Sequence, residues 1–202
     1  IDRSLVGSEM CIRDSNNAGI FLEGRAWKAD QKNWQRIIDV NLMSVIYGLN
    51  LFVDEMVASQ ERCHIINTSS MAGIIVGPAL APYTTTKHAV VGLTRTLHED
   101  LADNDKVGVS VLCPGLVQTN IIDRDHLGLA LDEASIDQHE SAKNNAQWLA
   151  DGVKEGMSPE DLATIVFKKI ESKEFWILTH PEFVEVYETY AHEITANKNN
   201  LN

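Results

Sequence analysis

Residues Ile65 to Lys87 read Ile-Ile-Asn-Thr-Ser-Ser-Met-Ala-Gly-Ile-Ile-Val-Gly-Pro-Ala-Leu-Ala-Pro-Tyr-Thr-Thr-Thr-Lys. A short apolar β run ends in a cluster of hydroxyls. A Gly/Pro loop follows, and a helix is expected to begin near Pro82, with Tyr83 and Lys87 in its first turns. Residues four apart on a helix share a face, with Cβ atoms about 5–6 Å apart. An ammonium beside a phenol favours the phenolate, so Lys87 is expected to acidify Tyr83 toward a working acid/base. Ser70, at the strand end, is placed to hydrogen-bond the same substrate oxygen. Ser69 competes for that role, since a one-residue shift of register would exchange them. A bare Tyr-x-x-x-Lys spacing carries little weight alone. The strand, hydroxyl cluster and helix around it make this one specific.

Working outward, Cys63 to Ser69 and Val107 to Cys113 read as buried parallel strands, the second stopped by Pro114-Gly115. From Asp30 to about Ala58, apolar residues recur at three- and four-residue steps, with Asp30 as the expected N-cap. Asn41 interrupts that apolar face; taken alone it is a packing or helix-bending amide. The Tyr83 helix is expected to run to about Asp103. Ser158-Pro159-Glu160-Asp161 is a strong helix start, and that helix should reach about Ser172. Phe175 to Thr179 reads as a last strand and Val184 to Ile194 as a short terminal helix. The tail Asn197–Asn202 is expected to be disordered.

Four blocks in order now carry a resemblance: Asn16-Asn17-Ala18-Gly19, Asp39-Val40-Asn41, Ser70 with Tyr83 and Lys87, and Pro114-Gly115 with Thr119. The chain resembles the short-chain dehydrogenases/reductases from about Asn16 to about Thr179. The resemblance implies an α/β fold, a partial Rossmann-type doubly wound parallel sheet whose first βαβαβ half is missing. It implies hydride transfer between NAD or NADP and an alcohol/carbonyl substrate, with Asn41, Ser70, Tyr83 and Lys87 catalytic. Asn41 would hold a water linked to Lys87. Cofactor contacts would come from Asn17, Ala18, Gly19, Tyr83, Lys87, Pro114, Gly115, Val117 and Thr119. Asn120 to Gly156 would be a variable substrate lid. The Tyr83 helix and the Asp30–Ala58 helix would form the interface of a homodimer or homotetramer in the full-length form. A rival reading is a non-catalytic fragment or scaffold; with the half that carries the glycine-rich loop missing, the full-length parent is expected to be the enzyme and this 202-residue chain to bind cofactor weakly or not at all. A third reading is an isomerase or dehydratase using the same Tyr/Lys pair.

The N-terminus departs from the family. Arg13-Asp14-Ser15 is poor strand material where the family has a hydrophobic strand, and no T-G-x-x-x-G-x-G motif is present. Residues 1–15 are therefore expected to be a foreign or misassembled join, with residues 16–196 forming the C-terminal part of the domain. NAD and NADP are not distinguished, because the residue that reads the ribose 2′ position lies in the missing half.

Composition narrows the partners. With 202 residues and 44% hydrophobic content, the chain can bury a real core. A net charge of −12 argues against nucleic acid and anionic membranes. No apolar run is expected to approach the roughly 20 residues of a membrane span. Cys11, Cys63 and Cys113 are odd in number and lack metal spacing. They read as buried free thiols in a reducing, cytoplasmic setting, and no metal site is expected.

Overall fold

The computed structural model describes residues 12–59, 61–123 and 140–198. Four parallel strands, β1 (Ile12–Asn16), β2 (Cys63–Thr68), β3 (Val107–Cys113) and β4 (Trp176–Leu178), form one sheet in that order. The register runs Ile65↔Val109 across β2 and β3 and Leu112↔Ile177 across β3 and β4. Both faces of β2 and β3 are covered, as parallel sheets require, while Arg13 and Ser15 leave one face of β1 exposed. On one side Met56, Cys63, Ile65 and Val107 pack with Leu49, Val53 and Leu97. These last come from α2 (Ser44–Ser59) and α3 (Ala81–Asp100). On the other side Ile66, Leu112 and Ile177 meet Ile170 and Leu162 of α5 (Pro159–Glu171). Ile65 and Ile66 thus point to opposite layers, the period-two alternation of a strand.

The expected helix starts hold. Asp30 Oδ1 accepts from Lys32 N at 2.7 Å and caps α1 (Gln31–Ile38). Ser158 Oγ accepts from Asp161 N at 3.1 Å and caps α5, with Pro159 in its first turn. Between α1 and α2 the chain winds as a π-helical segment, Asp39–Met43, and Asn41 lies inside it. The helix near the C-terminus, α6, spans Val184–Lys198, four residues beyond the expected end. Asn197 and Lys198 are therefore helical, which corrects the disordered tail at those two positions. Residues 199–202, residues 1–11 and residues 124–139 of the expected lid lie outside the described residues, as does Cys11. The described remainder of the lid contains α4 (Glu140–Glu155).

Two expectations are corrected. Arg13, Asp14 and Ser15 do form a strand: Arg13 pairs with His64, Asp14 with Ile65 and Ser15 with Ile66. The ladder needs only main-chain groups, and polar contacts hold the side chains. Asn16 Nδ2 donates to Asn67 Oδ1 at 2.9 Å and to Asp14 Oδ2 at 3.0 Å. The Arg13 guanidinium lies 5.5 Å from the Phe167 ring centre. A Cβ on Gly48 would stand 2.1 Å from Asn16 Oδ1, so the missing side chain is what lets α2 approach β1. Second, Gln31–Ser59 is a continuous 29-residue helical run, long and apolar enough to cross a membrane by length and composition. In this fold one face of it packs on the sheet, while Tyr47, Leu51 and Phe52 face outward.

β2 and β3 also bury a titratable group. His64 Nε2 lies 2.8 Å from Ser110 Oγ, and that hydroxyl donates to Glu174 O at 2.6 Å. Ser110 therefore accepts from a neutral His64 carrying its proton on Nε2. Burial first, then the charges of Arg13 and Lys173, lower its pKa from 6.5 to about 4. The folded state thus disfavours the protonated ring. Its contribution is full above pH 6.5 and is lost as the pH falls through 4, in total about 3 kcal/mol. His64→Gln, which keeps a donor for Ser110, is expected to flatten the difference between unfolding free energies measured at pH 7 and pH 4. An unchanged acid limb would rule out this role.

Candidate active site

The site is built where the carboxyl ends of β1, β2 and β3 meet the first turns of α3, the edge at which open α/β sheets bind ligands. Pro82 in the first turn of α3 suits the helix start, and it brings Tyr83 and Lys87 onto the inner face. Both are buried, Tyr83 to 8% exposure and Lys87 to 2%. Lys87 Nζ donates to Thr68 O at 3.0 Å and lies 5.6 Å from the centre of the Tyr83 ring. Phe21 packs against the phenol ring, ring centres 5.0 Å apart.

The two serines separate. Ser69 is buried and donates its hydroxyl to the Lys87 main-chain oxygen at 2.8 Å, tying α3 to the strand end. Gly73 allows that approach: a Cβ there would stand 2.3 Å from Ser69 Oγ and 2.7 Å from Lys87 O. Ser70 Oγ accepts from Ala72 N at 3.1 Å and lies 3.4 Å from Pro114 O. It borders the cavities on both sides of Tyr83.

A cleft of about 460 Å³ opens against this group. Ser70, Tyr83 and Lys87 line it, together with Asn17 and Gly19 from the turn after β1. Pro114, Gly115, Val117 and Thr119 line it from the loop after β3. Ala18 is exposed and does not line it. Asn41 also stays behind the wall. Its Oδ1 accepts from Ile20 N at 2.8 Å, and its Nδ2 donates to Ile20 O at 2.9 Å and Thr86 Oγ1 at 3.2 Å. These bonds pin the chain just after Gly19, where a Cβ would stand 3.4 Å from Lys87 Nζ. Cys63 and Cys113 are buried free thiols. Among the described residues no group of three His, Cys, Asp or Glu side chains is placed to hold a metal.

The electrostatics differ from expectation. Tyr83 was expected to be acidified by Lys87; instead burial pushes its pKa up to about 12, with the Ser70 hydroxyl pulling the other way. Lys87 falls to about 8, again through burial. Desolvation of each charged form outweighs the benefit of the ammonium above the ring. At neutral pH the site therefore holds a protonated phenol, ready to donate.

Sequence reasoning missed three participants: Phe21, the Thr68 carbonyl and His180. His180 Nδ1 accepts from Gly115 N at 3.0 Å, and Thr179 Oγ1 lies 2.7 Å from the same nitrogen. A Cβ on Gly115 would stand 2.5 Å from the His180 ring, so imidazole and main chain are fitted to each other. The position of His180 just past β4, at the ligand-binding edge, was the available signal.

Comparison with known proteins bears on the family and the fold. The short chain dehydrogenase family model matches residues 15–127. The CLA biosynthesis dehydrogenase/reductase of Lactiplantibacillus plantarum is 32% identical over 186 residues, covering 90% of this chain and 65% of that protein. The C alpha-dehydrogenase of Sphingobium sp. is 31% identical, covering 87% of this chain and 57% of its own length. The chain thus spans about two thirds or less of these curated relatives. A short-chain dehydrogenase/reductase from Burkholderia phymatum, solved in complex with NAD, superposes with a TM-score of 0.83 at 32% identity, covering 92% of this chain and 67% of that one. With more than half its length matched and the Ser70, Tyr83 and Lys87 side chains gathered at the strand ends, the chain belongs to the short-chain dehydrogenase family.

Proposed function

We propose that this chain carries the catalytic centre of an oxidoreductase acting on an alcohol/carbonyl pair with NAD or NADP. The observation that carries the reading is the convergence of Ser70, Tyr83 and Lys87 on one cleft at the carboxyl edge of the sheet. The cleft suits a nicotinamide nucleotide. Lys87 Nζ has three N–H groups and gives one to Thr68 O, which leaves donors for ribose hydroxyls. Gly19 lines the cleft on one side, and Pro114, Gly115, Val117 and Thr119 supply the wall where the nicotinamide would lie. Asn17 and Ala18 belong to the turn assigned to the adenosine side. When bound, the nicotinamide supplies or takes up the hydride.

The protein's own part is positioning and proton transfer. The Tyr83 phenol, held protonated by burial, donates to the substrate oxygen as a carbonyl is reduced. Ser70 hydrogen-bonds the same oxygen and fixes its direction. The Lys87 ammonium, in the same buried site, favours the phenolate left behind. Asn41 clamps Ile20 and so keeps Gly19 against Lys87. Its side chain is engaged there, so the relay water that the family resemblance assigns to it falls to its main-chain carbonyl. The outward Tyr47, Leu51 and Phe52 on α2 support a homodimer or homotetramer in the full-length protein. We place that protein in the cytoplasm, with no nucleic-acid or membrane partner.

The test follows absorbance of reduced nicotinamide while the purified protein is offered a panel of ketones. Consumption of NADH or NADPH with stoichiometric alcohol supports the reading; no nucleotide binding and no turnover with any substrate would end it. His180 enters the same assay as a positioning residue. His180→Ala removes the acceptor for Gly115 N, and kcat/KM is expected to fall about tenfold for a positional shift of this kind. His180→Asn, whose side-chain oxygen can still accept, is expected to recover part of the loss. Equal losses in the two variants would count against the hydrogen bond.

A further inference from the structure

Beyond Ser70 and Tyr83, on the side away from Lys87, lies a second cavity of about 230 Å³. Its walls include Phe21, Ile75, Ile121, Trp148, Leu149 and Phe183. Among the described residues no charged side chain or histidine lines it. Its polar side chains are Ser70 and Tyr83 at the end shared with the cleft, and Asn145, whose Nδ2 donates to Pro78 O at 3.2 Å. Among the described residues, polar side-chain capacity is thus concentrated at the Ser70 and Tyr83 end, where the reacting oxygen would sit, with only the Asn145 amide and the Trp148 indole N–H elsewhere in the wall.

We propose, resting on the reading above, that the substrate is an uncharged aryl or alicyclic carbinol or the corresponding ketone, with its ring in this cavity and its oxygen between Ser70 and Tyr83. Three physical arguments carry the class. A carboxylate or ammonium buried here would meet no partner among the described residues, and an unpaired buried charge is strongly disfavoured. Each additional hydroxyl of a polyol would lose its water without replacement, at about 1–3 kcal/mol. The aromatic walls offer stacked and edge-on contacts to a ring. Size agrees as well: an apolar cavity of about 150 Å³ already takes benzene, so this one holds a ring with a fused or attached substituent.

The redox step balances within the class. Oxidation of the carbinol passes the C–H hydrogen with its electron pair to the oxidised nicotinamide and the O–H proton through Tyr83 to solvent. The C=O bond forms as those two bonds break, and reduction of the ketone reverses all three changes.

The test has a binding arm and a turnover arm, with 1-tetralone as the ring ketone and sorbitol and gluconate as the neutral polyol and the charged polyol. Ligand-observed NMR on the purified protein is expected to show 1-tetralone binding at least tenfold more tightly than either. Leu149→Lys places a charge in the wall and is expected to weaken 1-tetralone at least tenfold. Val76→Lys, at an exposed position on the rim, is expected to weaken it about threefold and serves if the first variant does not fold. Unchanged affinity in a folded Leu149→Lys protein would overturn the proposal, or in Val76→Lys if that is the only variant to fold. Oxidation of sorbitol or gluconate in preference to tetralol would also overturn it, while leaving the oxidoreductase reading intact. Tight, variant-sensitive binding of 1-tetralone without turnover by NADH or NADPH would support the ligand class and instead overturn the oxidoreductase reading.

Discussion

Replacing Tyr83 by Phe is expected to lower turnover by about 10³-fold, within the range of general acid catalysis, while the fold survives. The ring that packs against Phe21 is kept, so the apolar wall around it is not opened. What disappears is a single O–H whose pKa burial has raised to about 12. Such a group is a poor spontaneous acid, but it stays protonated throughout the working range and donates once negative charge grows on the substrate oxygen. KM for a ring ketone should change little, because the deleted group contributes chiefly as charge develops. The measurements are kcat and KM in the reductive direction, with a thermal melt as control. A kcat within threefold of the parent would remove Tyr83 from the chemistry. Ser70→Ala should fall between the two, since Ser70 also receives the Ala72 N–H and its loss disturbs the turn after β2.

Much of this arrangement was legible in the sequence, and the exceptions have physical causes. β2 and β3 showed themselves as apolar runs because they are buried on both faces, and α5 showed itself through a Ser-Pro-Glu-Asp start whose capping bonds are all local. β1 was misread because Arg13, Asp14 and Ser15 lack strand-like side chains; their strand is held by the main-chain ladder with β2, a non-local fact. The π-helical segment at Asp39–Met43 has no periodic signature, although Asn41 on an apolar face marked the place. Ser69 and Ser70 are alike in sequence, and only the close approach of Lys87 O to the Gly73 region decides which turns inward. The protonation of Tyr83 was misjudged because spacing reports the proximity of Lys87 but not the loss of water around both groups. His180 lies 97 positions from Tyr83 in sequence and reaches the site through the Gly115 main chain.

Lys87→Met separates chemistry from stability most sharply. Burial lowers the Lys87 pKa from 10.5 to about 8, so the fold disfavours the charged form it holds at neutral pH. The penalty, about 3 kcal/mol at most, is full below pH 8 and lifts as the pH rises from 8 through 10.5. Methionine fills a similar volume without the charge, but it leaves Thr68 O without its donor, which costs about 1–3 kcal/mol. The two effects nearly offset, and stability at pH 7 is expected to lie within about 2 kcal/mol of the parent. Turnover is expected to fall at least 10²-fold, because no ammonium remains to hold ribose hydroxyls or to balance the developing phenolate. Stability should also stop rising between pH 8 and 10, the interval to read because above it the raised pKa of Tyr83 makes the folded state lose stability with pH. A structural lysine would show the reverse pattern, with a large drop in melting temperature and a kcat that survives in whatever fraction remains folded.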